Sequence, residues 1–412
     1  MAPRHCERSE AIQPGGAELD CFVASLLAMT GALTALPPGR IHGETMIPAL
    51  PSRRVLIETT ETLAIALVGG LAFTYLALPA GLVSGSVLAV ATAALLGRPV
   101  RMPLALARVC YVIVGILLGA VVSPETLRGV ITWPVSIALL MLCSVVLMLA
   151  TSSYLRVVHD WDPLSALLGA SPGAMAQVIA LSSELGGDLR AIAIVQTMRV
   201  LLIVIGLPNG LALFGLVVPA VAVARGPADV SVLGQMIVLV VVAVSFAVAF
   251  LYLRFPGGLM FGALTGSGLL HGTGYVHAVL PWWIGSSSVI ALGALVGSRF
   301  VNTTARMLVG YLGAALGSFA VSMAVAAFFI AIVAYFFPFP IANIVIAFSP
   351  GAQDTMMVLA LALHLDPVYV GAHHVARFLV VTFSVAIAAR RIAPQKTAVG
   401  HRNRPEQSRI EE

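Results

Sequence analysis

Long uncharged apolar runs follow one another along most of the chain, from about Thr62 to Ala389, with short polar segments between them. A helix needs roughly 20 residues to span the apolar core of a bilayer, which is about 30 Å thick. The pattern therefore predicts membrane-spanning helices with no soluble domain between them. We expect these helices at about 62–79, 81–97, 107–123, 131–152, 189–207, 232–253, 257–271, 287–300, 308–337 and 367–389.

The composition favours the same interpretation. The chain is 59% apolar and 10% charged, against about 45–50% and 25% in soluble proteins. The net charge of +5 does not indicate nucleic acid, because the arginines lie in short loops and in the segment 390–404, and no basic helix stands outside the apolar runs. We expect a lipid bilayer as partner, no direct nucleic-acid binding, and a bacterial inner-membrane location with a cytoplasmic C-terminus.

The first 45 residues differ from the rest and resemble the translated form of a short repeat found between bacterial genes. We expect 1–45 to be a non-native or disordered extension, with Met46 as the true start. A signal peptide with 21–36 as its apolar region is the alternative, although acidic residues precede that region where basic ones are usual.

The cysteines and histidines show no metal-ligand spacing. Cys110 and Cys143 fall inside apolar runs, whereas Cys6 and Cys21 lie near the start, and no HExxH or CxxC motif occurs. We therefore expect no disulfide framework, no metal and no cofactor, and no enzymatic activity.

Two segments of the chain repeat one another. The Ser-Pro-Gly-Ala sequence at 171–174 recurs at 349–352, and Arg199 recurs as Arg377, both at an offset of 178 residues. Several rare residues at one offset indicate a duplication. The predicted units are a first membrane repeat, a second membrane repeat and a basic cytoplasmic tail, at 58–226, 227–391 and 392–412.

The charges of equivalent loops predict how the repeats are oriented. The loop 98–108 carries three arginines, whereas its counterpart 271–286 carries no Lys or Arg. Because Lys and Arg concentrate on the cytoplasmic side, the two loops are expected on opposite sides. We predict an all-α integral membrane protein with two inverted repeats of about five transmembrane helices each. Each repeat then contains a re-entrant or broken Ser-Pro-Gly helix that enters and leaves on one side.

The Ser-Pro-Gly elements predict a site for an anion. Ser171 is a good N-cap and Pro172 suits the first helical position of a helix that ends at about Glu184. A helix of this length returning from a re-entrant turn places its N-terminus near mid-membrane, where unpaired N–H groups and the helix dipole favour an anion. The element at 349–352 repeats the arrangement.

Buried charges accompany both elements. Asp188 and Asp366 are expected to cap the helices that contain Arg199 and Arg377. Each arginine is 11 residues further along, about 16 Å inside its helix, where an arginine lines a polar cavity or has a partner. Two such arginines and two helix N-termini would form an anion site. The alternative is that each arginine binds backbone carbonyls or Asp354 and braces the interface between the halves.

Asp354 is a candidate for ion coupling, because it is the one carboxylate well inside the predicted core and its counterpart is Ala176. The alternative for Asp354 is a structural ion pair with Arg377 or Arg199. The candidate substrate-binding residues lie in the two Ser-Pro-Gly elements and in the helices after them. They are Ser171, Pro172, Gly173, Gln177, Arg199, Ser349, Pro350, Gly351, Gln353, His373, His374 and Arg377.

Many of the polar side chains around these groups could equally bond a neighbouring helix. Because His373 and His374 are adjacent, they point about 100° apart on a helix and make a poor metal pair. Glycines spaced by four residues are predicted to permit close helix packing. They are Gly115, Gly119, Gly293 and Gly297.

Two copies of a Ser-Pro-Gly half-helix, each followed by a helix with a buried arginine, as in "VGAHHVARFLVV", resemble the bacterial AbrB membrane-protein family. The resemblance covers about 60–390. Members carry labels such as ammonia monooxygenase or regulator of gene expression, and their architecture is similar to that of cation/proton antiporters and bile-acid symporters. Residues that match the family are Ser171, Pro172, Gly173, Arg199, Pro350, Gly351, Asp354, His373 and Arg377. Gln177 departs from it, because an acidic residue is expected there.

We therefore expect a secondary transporter of a small anionic or zwitterionic solute, coupled to protons or cations through Asp354. A homodimer is a reasonable expectation for this architecture. A membrane sensor that acts indirectly on gene expression is the alternative. A membrane monooxygenase is the third reading, and ligand spacing does not support it.

Overall fold

The computed structural model describes residues 52–392, apart from 124–125, 127–128, 174, 218–229 and 302. All regular elements in these ranges are helical. The predicted extension 1–45 and nearly all of the predicted tail lie outside the described residues. Seven of the described helices are long and apolar enough to cross a membrane, which is compatible with a multi-pass membrane protein. They contain Arg53–Tyr75, Pro134–His159, Leu189–Leu213, Leu233–Tyr252, Trp282–Phe300, Leu312–Phe336 and Pro367–Ala389.

The described helices follow the same order in the two halves. In the first half they are α1 Arg53–Tyr75, α2 Gly81–Leu95, α3 Leu104–Gly119, α4 Pro134–His159, α5 Pro163–Ala170, α6 Met175–Leu185 and α7 Leu189–Leu213. In the second half they are α8 Val230–Tyr252, α9 Gly258–Gly272, α10 Trp282–Gly297, α11 Ala305–Gly310, α12 Leu312–Phe336, α13 Ile341–Phe348, α14 Gln353–Ala362 and α15 Pro367–Ile392.

The predicted helix at 62–79 begins earlier than expected. It starts at Arg53 because Ser52 caps it, with its hydroxyl accepting from the Val55 N–H, and because Arg54 pairs with Glu58 one turn later. The predicted helix at 308–337 is divided at Tyr311 into α11 and α12.

Each Ser-Pro-Gly element is preceded by a short helix that the pattern did not predict. These helices, α5 and α13, have eight residues each. Asp162 caps α5 by accepting from the N–H groups of Leu164 and Ser165, and Pro163 occupies its first turn. Each Ser-Pro-Gly element is therefore a break between two short helices, one before it and one after it.

The two short helices of each pair form a hairpin. If α5 and α6 were collinear, their outer ends would lie more than about 25 Å apart at 1.5 Å per residue. Instead, the hydroxyl of Ser165 at the start of α5 accepts a hydrogen bond of 2.8 Å from the N–H of Asp188 just after α6. In the second half, Asn343 Oδ1 in α13 accepts from the Asp366 N–H after α14 at 3.2 Å. We call these units the first hairpin and the second hairpin.

The glycines spaced by four lie where helices of the two halves cross, which confirms their predicted packing role. A Cβ at Gly115 would collide with Met260 and Ala263, and one at Gly293 would collide with Ser86 near Val83. Met260 and Ala263 each lie 177 residues after Val83 and Ser86, so the two sets of neighbours are equivalent in the repeats. The halves therefore contact each other reciprocally, α3 against α9 and α10 against α2.

Most of the packing falls into two groups of helices. The first, which we call the crossing bundle, consists of α1, α2, α3, α8, α9 and α10. The second, the hairpin bundle, consists of both hairpins with α4, α7, α12 and α15. Contacts between the bundles include the hydrogen bond from the Ser84 hydroxyl to the Val204 carbonyl, at 2.8 Å. The α14 helix of the second hairpin also contacts α2, α3 and α10 of the crossing bundle.

Candidate functional site

The tips of the two hairpins meet. Gly173 has a φ of +81°, a conformation that glycine adopts at little cost. A Cβ built on Gly173 would lie 3.5 Å from the carbonyl oxygen of Gly351, in the tip of the other hairpin. Ser171 and Ser349, next to the two breaks, are fully buried. The structure thus brings both Ser-Pro-Gly elements together in the interior of the protein.

The serines of these elements have a different role from the one predicted. Ser171 was expected to cap the start of a helix, but it ends α5, and α6 begins at Met175. Its hydroxyl donates to the Leu167 carbonyl at 2.8 Å, and that of Ser349 donates to the Val345 carbonyl. Both hydroxyls therefore satisfy the last turn of the helix before the break.

The two interior arginines bind these same helix ends. Arg199 Nη2 donates to the Gly169 carbonyl at 2.8 Å, and Arg377 Nη2 donates to the Ala347 carbonyl at 2.7 Å. Arg377 Nη1 also donates to the Ser349 carbonyl. The last carbonyls of a helix lack intrahelical partners and carry the negative end of its dipole, so a guanidinium there is favourable. Both arginines are almost fully buried.

One turn before each arginine, a second side chain contributes to the same end. Gln196 Nε2 donates to the Leu168 carbonyl at 2.9 Å, and His374 Nε2 donates to the Ile346 carbonyl at 3.3 Å. The amide and the imidazole occupy equivalent positions in the repeats. This is the carbonyl contact that the sequence offered as the alternative for the arginines. The ion pair of Asp354 with Arg199 or Arg377, which the sequence left open as the alternative to ion coupling, is wrong, because Asp354 binds Arg299.

His373 is enclosed between two helices. Its Nδ1 lies 2.7 Å from the Tyr369 carbonyl, which can only accept, so Nδ1 carries the proton. The Nε2 atom lies 2.9 Å from the hydroxyl oxygen of Ser136, which also donates to the Trp133 carbonyl at 2.9 Å. Gln353 donates to the Pro256 carbonyl at 3.4 Å, and the side chain of Gln177 lies outside the description.

Asp354 stands at the centre of a polar cluster at the start of α14. Its Oδ2 accepts from Arg299 Nη2 and from the Tyr111 hydroxyl, each at 2.9 Å. Its Oδ1 accepts from the N–H of Thr355 at 2.8 Å. The Arg299 and Asp354 side chains retain 17% and 25% of their exposure, so this is a partly buried ion pair. Of the four ion pairs found among the described residues, this one alone joins the two bundles.

The sequence prediction missed Arg299 and Tyr111. One signal was available, because the counterparts of Arg299 and Tyr111 in the other half are Val121 and Val289. Asp354 likewise has Ala176 as its counterpart. An arginine and an aspartate that both lack a charged counterpart in the other repeat are candidates for an ion pair. The spatial proximity of α10 and α14 was not apparent from the pattern.

A recess lies beside the cluster, between the bundles. Tyr111, Asp354 and Thr355 form its polar wall, and the apolar residues that face it include Val83, Leu292 and Val296. Its volume is about 10 Å³, about the space that one water molecule needs. A solute would therefore have to displace the side chains that line the recess. Among the described residues, no group of three or more His, Cys, Asp or Glu side chains is placed to hold a metal ion.

Comparison with known proteins decides the family. The family model described as "Transition state regulatory protein AbrB" matches residues 82–393. The chain belongs to the AbrB family. The match begins in α2 and contains both hairpins, both interior arginines and the Arg299–Asp354 pair.

Two similar proteins match most of the chain. Protein YhjN of Bacillus subtilis (strain 168) is 25% identical over 289 residues, which are 65% of this chain and 74% of the relative. The Escherichia coli (strain K12) protein described as "Putative regulator AbrB" is 24% identical over 335 residues, which are 78% of this chain and 93% of the relative. The match to the second relative covers nearly its whole length.

Proposed function

We propose that this protein is a secondary transporter of a small anionic or zwitterionic solute, coupled to protons or cations through Asp354. The observation that carries the proposal is the meeting of the two hairpin tips at Gly173 and Gly351. Secondary transporters bind substrate and coupling ion where two discontinuous helices meet between repeats, because unwound backbone and helix ends supply polar groups there. The role of the protein is transport and not catalysis.

The proposed architecture is a pair of inverted repeats, each with five crossing helices and one re-entrant hairpin. A hairpin returns the chain to the side from which it came, so five crossings place equivalent loops on opposite sides. The arginines of 98–108, absent from 271–286, agree with this orientation. The reciprocal contacts of Gly115 and Gly293 agree with a two-fold relation. The proposed location is the bacterial inner membrane, with the C-terminus cytoplasmic.

The Asp354 cluster supports ion coupling. A carboxylate at membrane depth is costly and usually marks an ion or proton pathway. Asp354 lies at a hairpin tip, lines the recess and bonds residues of the crossing bundle. A change in its charge would therefore alter both the proposed solute site and the contact between the bundles.

A membrane regulator is the second candidate function, favoured by the printed name of the Escherichia coli relative. Such a protein would keep the solute site as a sensor and act on gene expression indirectly. It would bind the solute but would not move it across a bilayer. The two functions therefore separate in a transport measurement and not in a binding measurement.

The first experiment is thermal unfolding of the detergent-purified full chain with a panel of small anions and zwitterions. A solute that binds only the folded state raises the melting temperature. We expect a shift that depends on the solute and that changes in Asp354→Asn. Asp160→Asn is the matched control, because Asp160 is exposed and asparagine tolerates its left-handed φ of +55°. No shift with any solute in folded wild-type protein would contradict a solute site.

A further inference from the structure

Arg299 and Tyr111 donate to the same oxygen atom of Asp354, and this geometry suggests how a solute and a proton could be coupled. Both donor atoms lie 2.9 Å from Oδ2. An arginine has five N–H donors in a planar fork that fits a carboxylate. One of them is used in the Asp354 hydrogen bond, and no other side-chain hydrogen bond of Arg299 is found in the described part of the chain. The cluster is therefore a carboxylate receptor whose present ligand belongs to the protein.

Resting on the proposed function, we propose that Arg299 is the binding residue for a small monocarboxylate, which replaces the carboxylate of Asp354 when Asp354 takes up a proton. The proton adds to a carboxylate oxygen of Asp354 to form a neutral acid. The hydrogen bond from Arg299 Nη2 to Asp354 breaks, and Nη2 then donates to the incoming carboxylate. No electrons are transferred, and the total charge of the site is the same before and after.

The need to keep the charges of the site paired explains why the proton and the solute bind together. An unpaired charge that is removed from water is strongly unfavourable. A guanidinium with deprotonated Asp354, and a guanidinium with solute beside protonated Asp354, each contain one balanced pair. Solute without the proton would place two carboxylates at one guanidinium, and the proton without solute would leave Arg299 unpaired. The two balanced states therefore dominate, which gives a ratio of one proton to one solute.

The charged and titratable groups that face Asp354 are few. Arg299, after α10, supplies the charge that acts on it, and Tyr111 of α3 supplies a hydroxyl. From α2 and α10, the recess receives only apolar contributions, among them Val83 and Val296. Thr355 on α14 itself adds an N–H and a hydroxyl. Within the described residues, Asp354 is thus the group whose protonation can release Arg299.

The same walls indicate the solute class. A carboxylate at the position of Asp354 Oδ2 would receive both donors. Its remaining atoms need more space than the present recess of about 10 Å³, so they would displace the side chains of Val83, Leu292 and Val296 and pack against them. This combination suits one carboxylate on a short hydrocarbon chain. A second charge on the solute would lie against valine and leucine without a partner. Butyrate is therefore the probe, and butylammonium, with the same chain and a positive charge, is its control.

The experiment is calorimetric binding of butyrate to purified full-length protein between about pH 6 and pH 8, where butyrate is ionised. Repeating each titration in buffers of different ionisation enthalpy counts the protons taken up. We expect one proton per butyrate, and an affinity that falls about tenfold per pH unit as the pH rises, because Asp354 must be protonated first. Butylammonium should not bind.

Two variants isolate the residues. Asp354→Asn imitates the protonated acid and should bind butyrate with no proton uptake and no pH dependence. Asp354→Asn combined with Arg299→Gln removes both charges, so it leaves no unpaired charge to unfold the site, and it should not bind butyrate. Arg156→Gln, at an exposed arginine, should behave as wild type.

Several results would overturn the inference. They are butyrate binding without proton uptake, butyrate binding retained by the double variant, butylammonium binding, and no butyrate binding by either wild type or Asp354→Asn. If another solute of the panel binds wild type while butyrate does not, the inference fails and the proposed transport function stands. If no solute of either charge binds the folded protein, both fail.

Discussion

Arg199 and Arg377 make the same contact in the two halves of the chain. Each donates through Nη2 to the carbonyl of the residue 30 positions before it, Gly169 and Ala347 respectively. Both carbonyls belong to the end of the first short helix of a hairpin. The duplicated arginines therefore hold the shape of the duplicated hairpins, and the residues that differ between the halves, Asp354 and Arg299, are the better candidates for solute chemistry.

Removing either interior arginine is expected to destabilise the protein. Arg199→Ala or Arg377→Ala leaves helix-end carbonyls without a donor, which costs about 1–3 kcal/mol for an unsatisfied buried group. The measurement is the melting temperature in detergent without added solute, and it should fall for both variants. The exposed Arg156→Ala should leave it unchanged. Variants as stable as wild type that no longer respond to anions would instead make these arginines solute receptors.

The left-handed glycine at the first hairpin tip should not tolerate a side chain. Gly173→Ala places a Cβ on a residue with φ +81°, which costs about 1–2 kcal/mol, and also adds bulk beside Gly351. We expect a lower melting temperature and weaker solute binding. Gly206→Ala is the control, because that glycine lies in α7 with no neighbour within 4 Å of an added Cβ. Equal melting temperatures and equal solute binding of the two variants would show that the hairpin tip has no role in the solute site.

Several parts of the structure were predictable from the sequence, for identifiable reasons. Asp188 and Asp366 were expected to cap the helices after the hairpins, and both do, by accepting from N–H groups in the first turn. A cap is a local interaction, so the residue and its neighbours suffice to predict it. The glycines spaced by four were predictable in the same way, because their spacing alone marks a helix face.

The missed parts depend on contacts that are distant in sequence. The helices α5 and α13 are too short to give the pattern of a membrane-spanning helix, so they were identified only in the structure. Arg299 and Asp354 are 55 residues apart and meet because α10 packs beside α14. The depth of Arg377 was inferred from helix rise, but its direction, toward its own hairpin, was set by tertiary packing.

Removing one donor from Asp354 should move the pH dependence of butyrate binding. Tyr111→Phe keeps the ring and deletes the hydroxyl that donates to Oδ2. A hydrogen bond to the ionised form stabilises that form, so its loss favours the protonated acid. The pH at which binding falls should therefore rise, by about one unit or less. The comparison is Tyr154→Phe, whose hydroxyl is near His159 and far in sequence from the cluster. If butyrate binding by Tyr111→Phe falls at a lower pH than binding by wild type, the role of Tyr111 as a donor to ionised Asp354 is contradicted.

Inverted repeats require equivalent loops on opposite sides of the membrane. Single cysteines at Arg98 and at Tyr275, introduced after Cys6 and Cys21 are changed to serine, test this with a membrane-impermeant maleimide. Cys110 and Cys143 are buried and should react little. We expect Arg98→Cys to be labelled only in inside-out vesicles and Tyr275→Cys only in intact cells. Labelling of both from the same side would indicate parallel repeats.

Uptake into proteoliposomes distinguishes a transporter from a sensor. The full-length protein is reconstituted, an inward proton gradient is imposed, and radiolabelled small anions and zwitterions are followed as they accumulate. We expect wild type and Asp160→Asn to accumulate at least one solute against its gradient, whereas Asp354→Asn should no longer respond to the proton gradient. If folded wild-type protein binds a solute but accumulates none, the transport function is contradicted and the sensor function is favoured.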